Sequence, residues 1–190
     1  SQVRKMGLAI SGQTESLAPA DRLIYALRDA TATVASLPLI ASSIMSKKIA
    51  AGADAVVLDV KCGRGAFMPD LASARTLAQT MVDIGKEMGK KTVALISNMD
   101  QPLGAAVGNA LEIKEAILTL QNQGPADLVR LALALGTQML LLAGRGRSAA
   151  EGKQLLERLL AAGAAWDKFR EFVAAQGGDL AAVDKPKLLP

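Results

Sequence analysis

Two short runs of apolar and β-branched residues constrain the fold of this chain more than any other feature of its sequence. The first run covers residues 53–61 (ADAVVLDVK) and the second covers residues 92–97 (TVALIS). Each has the length and the β-branched enrichment of a buried strand, and each is followed by a helical pattern. Strands that alternate with helices pair in parallel. The sequence therefore predicts an α/β fold with a parallel or mixed sheet covered by helices.

The remaining patterns divide the chain into three segments. Residues 1–19 begin the α/β domain, with a predicted strand at 7–11 and a polar loop at 12–16. Residues 20–51 contain only helical patterns, and residues 52–190 continue the α/β domain. Because the middle segment lies between strand-like runs, we expect it to be an insertion that belongs to a separate small α lobe. Further helices are predicted from Asp70, as N-cap, to about residue 88, and at 110–120, 126–143, 149–162 and 166–175.

Composition excludes several classes of protein. The chain is 51% hydrophobic but only 3% aromatic, so its core is built from Ala, Leu, Val and Ile. Its net charge of +4 is spread along the sequence without a basic stripe or interleaved aromatics, which argues against nucleic-acid binding. The longest apolar run, residues 131–143, is too short to span a membrane and is interrupted by Gly136 and Gln138.

The numbers of cysteines and histidines limit the catalytic chemistry that these residues can perform and indicate the cellular compartment of the protein. A single cysteine, Cys62, excludes an internal disulfide and fits a reducing environment, so we expect a cytoplasmic protein. With no histidine, the commonest general base and metal ligand is missing from these residues. Because the chain begins at Ser1 and runs almost directly into an apolar segment, we expect an interior piece of a longer protein.

A cluster of donors is predicted within the helical segment. Ser43 and Lys47 are four residues apart and lie on one helix face, toward which Arg28 of the preceding helix could turn. A guanidinium fork, a hydroxyl and an ammonium match a flat heterocycle with two carbonyl oxygens and an N–H between them. The alternative is purely structural: an Arg28–Asp29 surface ion pair, and a lysine pair that complements the helix dipole. Spacing alone favours the structural interpretation.

Longer motifs change that balance. The segment YALRDATATVASLPLI, residues 25–40, resembles the signature region of the thymidine and pyrimidine nucleoside phosphorylases. The likeness continues through the lysine pair at 47–48, weakens in the helices after Gly124, and covers essentially the whole chain in order. Its other motifs are DVKCGRGAFMP at 59–69, MDQPLG at 99–104, GNALEIKE at 108–115 and AAQGGD at 174–179.

The resemblance implies reversible phosphorolysis: a pyrimidine nucleoside such as uridine, thymidine or deoxyuridine, with inorganic phosphate, gives the free base and an α-pentose 1-phosphate. It implies that Arg28, Ser43 and Lys47 hold the pyrimidine, with Arg28 and Lys47 as electrostatic catalysts. Fixed cations would meet the negative charge that the departing base acquires. Tyr25 and Ile44 would line the pocket, and Phe67 would pack against the base.

The resemblance also implies a homodimer and a structural potassium ion. The ligands that carry over are the carbonyls of Leu103 and Ala106 and the carboxylate of Glu115. The sequence alone favours a different interpretation, a solvated helix face on which Glu112, Lys114 and Glu115 are exposed. The glycine turn at 62–66 lacks the full phosphate-loop pattern, so we interpret Gly63 and Gly65 as turn glycines that position Phe67. The resemblance implies that phosphate binds upstream of Ser1.

Three other functions stay open. A thymidine-selective phosphorylase is one, although residues 100–104 look closer to the broad-specificity bacterial enzyme. An anthranilate phosphoribosyltransferase-like enzyme is another, but it requires a diphosphate loop and magnesium-binding carboxylates that are not evident in the sequence. The third is an inactive folding or dimerisation unit that lacks the phosphate-binding region.

Overall fold

The computed structural model describes residues 2–12, 14 and 16–189. Gln13 and Glu15 of the predicted polar loop therefore lie outside the described residues. The strands are β1 Ala55–Cys62 and β2 Lys91–Asn98, and the helices are α1 Gln2–Met6, α2 Pro19–Ala30, α3 Leu37–Ala50, α4 Leu71–Glu87, α5 Asn109–Leu120, α6 Ala126–Leu142, α7 Ala149–Ala161, α8 Ala164–Ala175 and α9 Leu180–Asp184, followed by a 3-10 turn at Pro186–Leu188.

The chain forms two compact units. The strand unit consists of residues 12–101 and 138–145, and contains α2, α3, α4 and both strands. The helical unit consists of residues 1–11, 102–137 and 146–190. Within the described residues, no helix combines the length and the apolar character that crossing a bilayer requires.

The predicted parallel pairing is confirmed in the strand unit. The two strands run parallel in a register that joins Ala55 to Lys91 and Cys62 to Asn98, with α4 as the connection. Alternate side chains of β1 enter the core because successive residues of a strand point to opposite faces. The core consists of these residues and of residues from α3 and α4: Val56, Leu58, Val60, Ile40, Ala41, Met45, Ala74, Leu77, Ala78, Met81 and the neighbouring Met68. The α/β class is therefore correct.

Helix signals in the sequence locate the elements of this unit well. Asp70 is the N-cap of α4, as predicted, and its side chain accepts a hydrogen bond from the Ser73 amide at 2.8 Å. Ser36 precedes α3, and Gly52, with a φ of +78°, follows it. Gly63 has a φ of +131°, and a Cβ there would lie 2.7 Å from the Asp100 carboxylate. Only glycine fits that turn.

The strand predicted at residues 7–11 is wrong, and the segment is irregular. A strand needs a neighbouring edge to satisfy its backbone groups. The Ile10 amide and carbonyl are bonded instead to the side-chain amide of Gln176, at 3.1 and 2.8 Å. Ile10 is 67% exposed, so no apolar burial holds the segment in a sheet. The short helix α1 was not predicted.

Close packing of α4 on β2 generates a test of the fold. Gly85 of α4 is buried, and a Cβ there would lie 2.0 Å from Thr92 Oγ1 and 2.8 Å from Thr92 Cβ. Overpacking a core typically costs about 1–3 kcal/mol, whereas replacing a helical glycine by alanine gains about 1 kcal/mol. We expect Gly85→Ala to lower the urea midpoint of unfolding, because the Thr92 Cβ cannot rotate away.

Lys86→Ala is the matched control for this substitution. Lys86 is the next residue of the helix and is exposed, so its truncation should change the free energy of unfolding by less than about 0.5 kcal/mol. An unfolding midpoint for Gly85→Ala at or above that of the parent would contradict the packing described for α4 and β2.

Candidate functional site

Four side chains of α2 and α3 form a charged cluster in the strand unit. The Lys47 ammonium lies 2.5 Å from the Asp21 carboxylate and donates a hydrogen bond of 2.9 Å to the Ser43 hydroxyl. Asp21, Arg28 and Ser43 are all buried, with 8%, 4% and 7% of their surfaces exposed, whereas the Lys47 side chain is 27% exposed. The structure thus brings Ser43 and Lys47 together, as their spacing on one helix predicts.

Arg28 belongs to the same cluster but is more enclosed than the sequence suggests. Its guanidinium donates hydrogen bonds to the backbone carbonyls of Val34 and Leu39, in and just after the α2–α3 connection. Its Nε is buried and has no hydrogen-bond partner among the described residues. The guanidinium also lies 5.2 Å from the centre of the Tyr25 ring, a cation–π distance. Arg28 therefore ties α2 to α3 and keeps one donor unused.

Helix direction explains how these side chains meet. Asp21 is in the first turn of α2 and pairs with Lys47 in the last turn of α3, while Arg28 at the end of α2 contacts Leu39 near the start of α3. The two helices are therefore antiparallel. Asp21 and Arg28 are seven residues apart, two turns along one face. The acidic residue near the N-terminus of α2 and the lysine near the C-terminus of α3 also suit the helix dipoles.

Asp21 is the member of the cluster that the sequence interpretation missed. Burial by itself would raise the pKa of this carboxyl, but hydrogen bonds from Lys47 and Ser43 and the positive charges of Lys47 and Arg28 outweigh it, so the pKa lies below its usual value of 3.8. Asp21 is thus an anion at neutral pH. Its seven-residue spacing from Arg28 was the signal that could have revealed it.

Of the other predicted substrate contacts, Tyr25 borders the cluster, whereas Ile44 and Phe67 line a different part of the strand unit. Tyr25 is half exposed and contacts the cluster through Arg28. Ile44 and Phe67 line a cleft of about 380 Å³ together with Lys48, Asp59 and Lys61, and the lining of this cleft does not include Arg28, Ser43 or Lys47. Phe67 is 67% exposed on the glycine turn after β1. The structure therefore places Ile44 and Phe67 beside a separate cleft.

A polar network spans the carboxyl ends of the two strands. Lys61 is paired with Asp59 at 2.7 Å and donates a hydrogen bond of 3.0 Å to the Ser97 hydroxyl. Ser97 in turn donates to the Asp59 carboxylate. Each charged group is thereby satisfied by its neighbours. The network fixes Asp59 and Lys61, both of which line the same cleft as Phe67.

The residues proposed for a metal lie in the helical unit. The Glu115 carboxylate is buried and accepts a hydrogen bond of 2.8 Å from the Ala105 amide. Gly104 approaches so closely that a Cβ there would lie 2.1 Å from Glu115 Oε2. Leu103 and Ala106 are the sequence neighbours of Gly104 and Ala105. The predicted loop therefore lies against the carboxylate of Glu115. Among the described residues, no group of three or more His, Cys, Asp or Glu is arranged to hold a metal.

The depressed pKa of Asp21 gives the stability of this unit a defined pH dependence. Because the folded-state pKa lies below the unfolded value of 3.8, the carboxylate stabilises the fold fully above that value and loses its contribution as pH falls through the lower folded value. We expect Asp21→Asn to reduce the free energy of unfolding by about 2 kcal/mol at neutral pH, with the difference from the parent shrinking only in strong acid.

Urea unfolding of the parent and of Asp21→Asn from pH 7 to pH 2 measures this difference. Asp29→Asn is the control, because Asp29 is an exposed residue of the same helix. A difference that stays constant across the acid range would contradict the ion pair described for Asp21.

Comparison with known proteins accords with the resemblance in the motifs. Residues 1–166 match the model of the glycosyl transferase family, a/b domain. The chain is 58% identical to a pyrimidine-nucleoside phosphorylase of Geobacillus stearothermophilus, 57% identical to one of Staphylococcus haemolyticus, and 55% identical to one of Staphylococcus aureus strain USA300.

Each of these matches extends over 188 residues, which are 99% of this chain and 43% of the relative. The chain thus spans less than half the length of the curated relatives it matches. The family model, in contrast, covers most of the chain without interruption. The chain therefore belongs to the glycosyl transferase family and carries the a/b domain of that family.

Proposed function

We propose that the protein containing this chain catalyses the reversible phosphorolysis of pyrimidine nucleosides. Uridine, thymidine or deoxyuridine reacts with inorganic phosphate to give the free base and α-D-ribose or deoxyribose 1-phosphate. The observation that carries this proposal is the buried cluster in which Lys47 and Ser43 converge beside Arg28, in a chain whose relatives bear the name pyrimidine-nucleoside phosphorylase.

The chemistry of the reaction explains why cations belong in such a site. A phosphate oxygen attacks the anomeric carbon, the bond from that carbon to the ring nitrogen breaks, and its electron pair moves onto the pyrimidine. The ring nitrogen and the two carbonyl oxygens then share a negative charge. Donors that are fixed before the reaction stabilise this charge more than they stabilise the neutral nucleoside.

The donor inventory of the cluster supports these roles. A lysine ammonium has three N–H donors, of which one is directed to Asp21 and one to Ser43. The third is available to a ring oxygen. The buried Arg28 Nε, which lacks a partner among the described residues, supplies a second donor. In this proposal Ser43 forms a hydrogen bond with the edge of the pyrimidine ring, and Arg28 and Lys47 are the electrostatic catalysts.

Apolar contacts complete the proposed substrate site. Tyr25 borders the donors through its contact with Arg28, and Ile44 adjoins Ser43 on α3. Ile44 and Phe67 line the separate cleft described above, and Ile44 connects that cleft to the donors because it is next to Ser43 on α3. We propose that residues 20–51, which carry the donors, form the base-binding segment, and that residues 1–19 and 52–190 form the α/β part of the protein; α3 joins the two parts because it packs in the core with β1 and α4.

We also propose a structural potassium ion held by the Leu103 and Ala106 carbonyls and the Glu115 carboxylate. The residues fit a hard cation, for which oxygen ligands are preferred. The support is the tight approach of this loop to Glu115, whose carboxylate is buried but has no cationic side chain paired with it among the described residues.

A cytoplasmic homodimer is the proposed state of the protein. The half-buried free thiol of Cys62 suits a reducing compartment. Helix α2 exposes Leu23, Ile24 and Leu27, with 70%, 45% and 61% of their surfaces accessible. Such an apolar face suits a subunit interface. The partners are otherwise small molecules, the nucleoside and phosphate.

Removal of Lys47 tests the proposed function. In the full-length natural protein, Lys47→Ala should lower kcat for phosphate-dependent uracil release from uridine by about 100- to 1000-fold, because a fixed donor to the leaving group is lost. Circular dichroism should remain that of the parent. Lys153→Ala is the control, since Lys153 is exposed and pairs with Glu157 at the surface of α7.

Two outcomes of this assay have separate meanings. A parent protein that releases no uracil when phosphate is supplied would contradict the proposed reaction. Near-parental kcat in Lys47→Ala would contradict the role of Lys47 while leaving the reaction in place.

Potassium binding is tested by thermal unfolding in potassium chloride and in tetramethylammonium chloride at equal ionic strength. A cation that binds only the folded protein raises the unfolding temperature, so potassium should stabilise the parent. Glu115→Gln should abolish that difference. Glu112→Gln, on the exposed side of the same helix, should retain it. Equal unfolding temperatures of the parent in the two salts would rule out the ion site.

A further inference from the structure

We infer that Asp21 is a positioning residue for the proposed reaction: its buried carboxylate anchors the Lys47 ammonium beside Ser43, so that the lysine is preorganised to meet the departing pyrimidine. This inference rests on the proposed function. It assigns a role to a carboxylate that would not itself touch the substrate.

The burial pattern of α2 is the first argument for this role. A helix at a protein surface normally buries its apolar stripe, yet the buried residues of α2 are Asp21 and Arg28. Its large apolar side chains, Leu23, Ile24 and Leu27, are exposed in the single chain and belong to the face proposed above as a subunit interface, so they do not attach α2 to α3. Buried ion pairs contribute little net stability compared with apolar packing, so stability alone does not account for two charged groups in these positions.

The geometry at Lys47 is the second argument. A lysine side chain is a flexible four-carbon stem with a compact charge. Its ammonium therefore occupies one defined position only when other groups hold it there. Asp21 at 2.5 Å and Ser43 at 2.9 Å provide two fixed points from two different helices. Burial of Asp21 limits the access of water to this contact from the side of the carboxylate, which strengthens the interaction. The third N–H of the ammonium then has a defined direction.

The charge balance is the third argument. A lone carboxylate beside the departing base would oppose the negative charge that develops there. Here the carboxylate is matched by two cations, Lys47 and Arg28, whose positive charges both act on Asp21. Two positive charges and one negative charge leave the cluster with one net positive charge. Asp21 can therefore orient Lys47 without cancelling the attraction that the leaving group requires.

The neighbouring lysine provides an internal comparison. Lys48 follows Lys47 on α3 and is also half-buried, but its side chain forms no ion pair or hydrogen bond with another described residue. The two amines share their sequence neighbourhood and differ in the Asp21 and Ser43 contacts. Any property that depends on anchoring by Asp21 should therefore differ between Lys47 and Lys48.

Amine acetylation measures the anchoring directly. The full-length natural protein is treated briefly with acetic anhydride at pH 8, and mass spectrometry of the peptide that contains both lysines gives the ratio of Lys47 to Lys48 modification. We expect a low ratio in the parent and in the exposed control Asp29→Asn, and a severalfold higher ratio in Asp21→Asn. A ratio that Asp21→Asn leaves unchanged would overturn the inference.

A double-mutant cycle measures the consequence for turnover, below the unfolding temperature of every variant. We expect Asp21→Asn to lower kcat by about 10- to 100-fold, with a smaller change in KM for uridine, because a misplaced donor chiefly weakens the transition state. In the Lys47→Ala background the same substitution should have almost no further effect. An equal loss in both backgrounds would mean a general structural role and would overturn the inference.

Two further outcomes are distinguishable. A parent that is inactive toward uridine contradicts the proposed function, whereas the acetylation ratio still decides whether Asp21 positions Lys47. If circular dichroism finds Asp21→Asn unfolded, Asp21→Glu replaces it in both experiments. Glutamate keeps the charge but displaces the ammonium by one methylene, so kcat should fall and the acetylation ratio should rise. Parental values of both would overturn the inference.

Discussion

The contact between Lys47 and Asp21 is the interaction on which the helical pair α2–α3 depends. Asp21 and Arg28 are the buried residues of α2, so this helix is attached to α3 by charges and hydrogen bonds rather than by an apolar stripe. A buried carboxylate without a cation would be very costly. The buried charges of Asp21 and Arg28 therefore require the other groups of the cluster. The same ion pair and hydrogen bonds that attach α2 to α3 also position the proposed donors.

Helix α3 connects this cluster to the rest of the strand unit. Ile40, Ala41 and Met45 are buried in the core that α3 shares with β1 and α4, whereas Ser43 and Lys47 turn to the cluster with α2. One helix thus serves a packed core on one face and a polar site on another. Close packing limits movement of the helix, so the donors are mounted on a rigid element. Rigid mounting is what electrostatic stabilisation of a transition state requires.

Local sequence signals predicted the elements of the strand unit because each has a local physical cause. β-branched enrichment located β1 and β2, and the Asp70 cap located α4. The strand at 7–11 was wrong because a strand depends on a partner edge, and the partner that Ile10 finds is Gln176, 166 residues away in the chain. Spacing within α3 likewise predicted Ser43 and Lys47 together, whereas the separation of Phe67 from Arg28 depends on tertiary packing that no spacing encodes.

Asp21 was missed for a related reason. An acidic residue in the first turn of a helix is explained by the helix dipole alone, and the seven-residue spacing of Asp21 from Arg28 places both residues on one helix face without showing that this face is buried. Its burial follows from the antiparallel docking of α2 on α3, which Arg28 maintains by bonding the carbonyls of Val34 and Leu39. An arginine that is enclosed in this way fixes the distance between the helices, and that distance places Asp21 against Lys47. Arg28 therefore contributes to the cluster twice: as a proposed donor, and as the group that makes the Asp21–Lys47 contact possible.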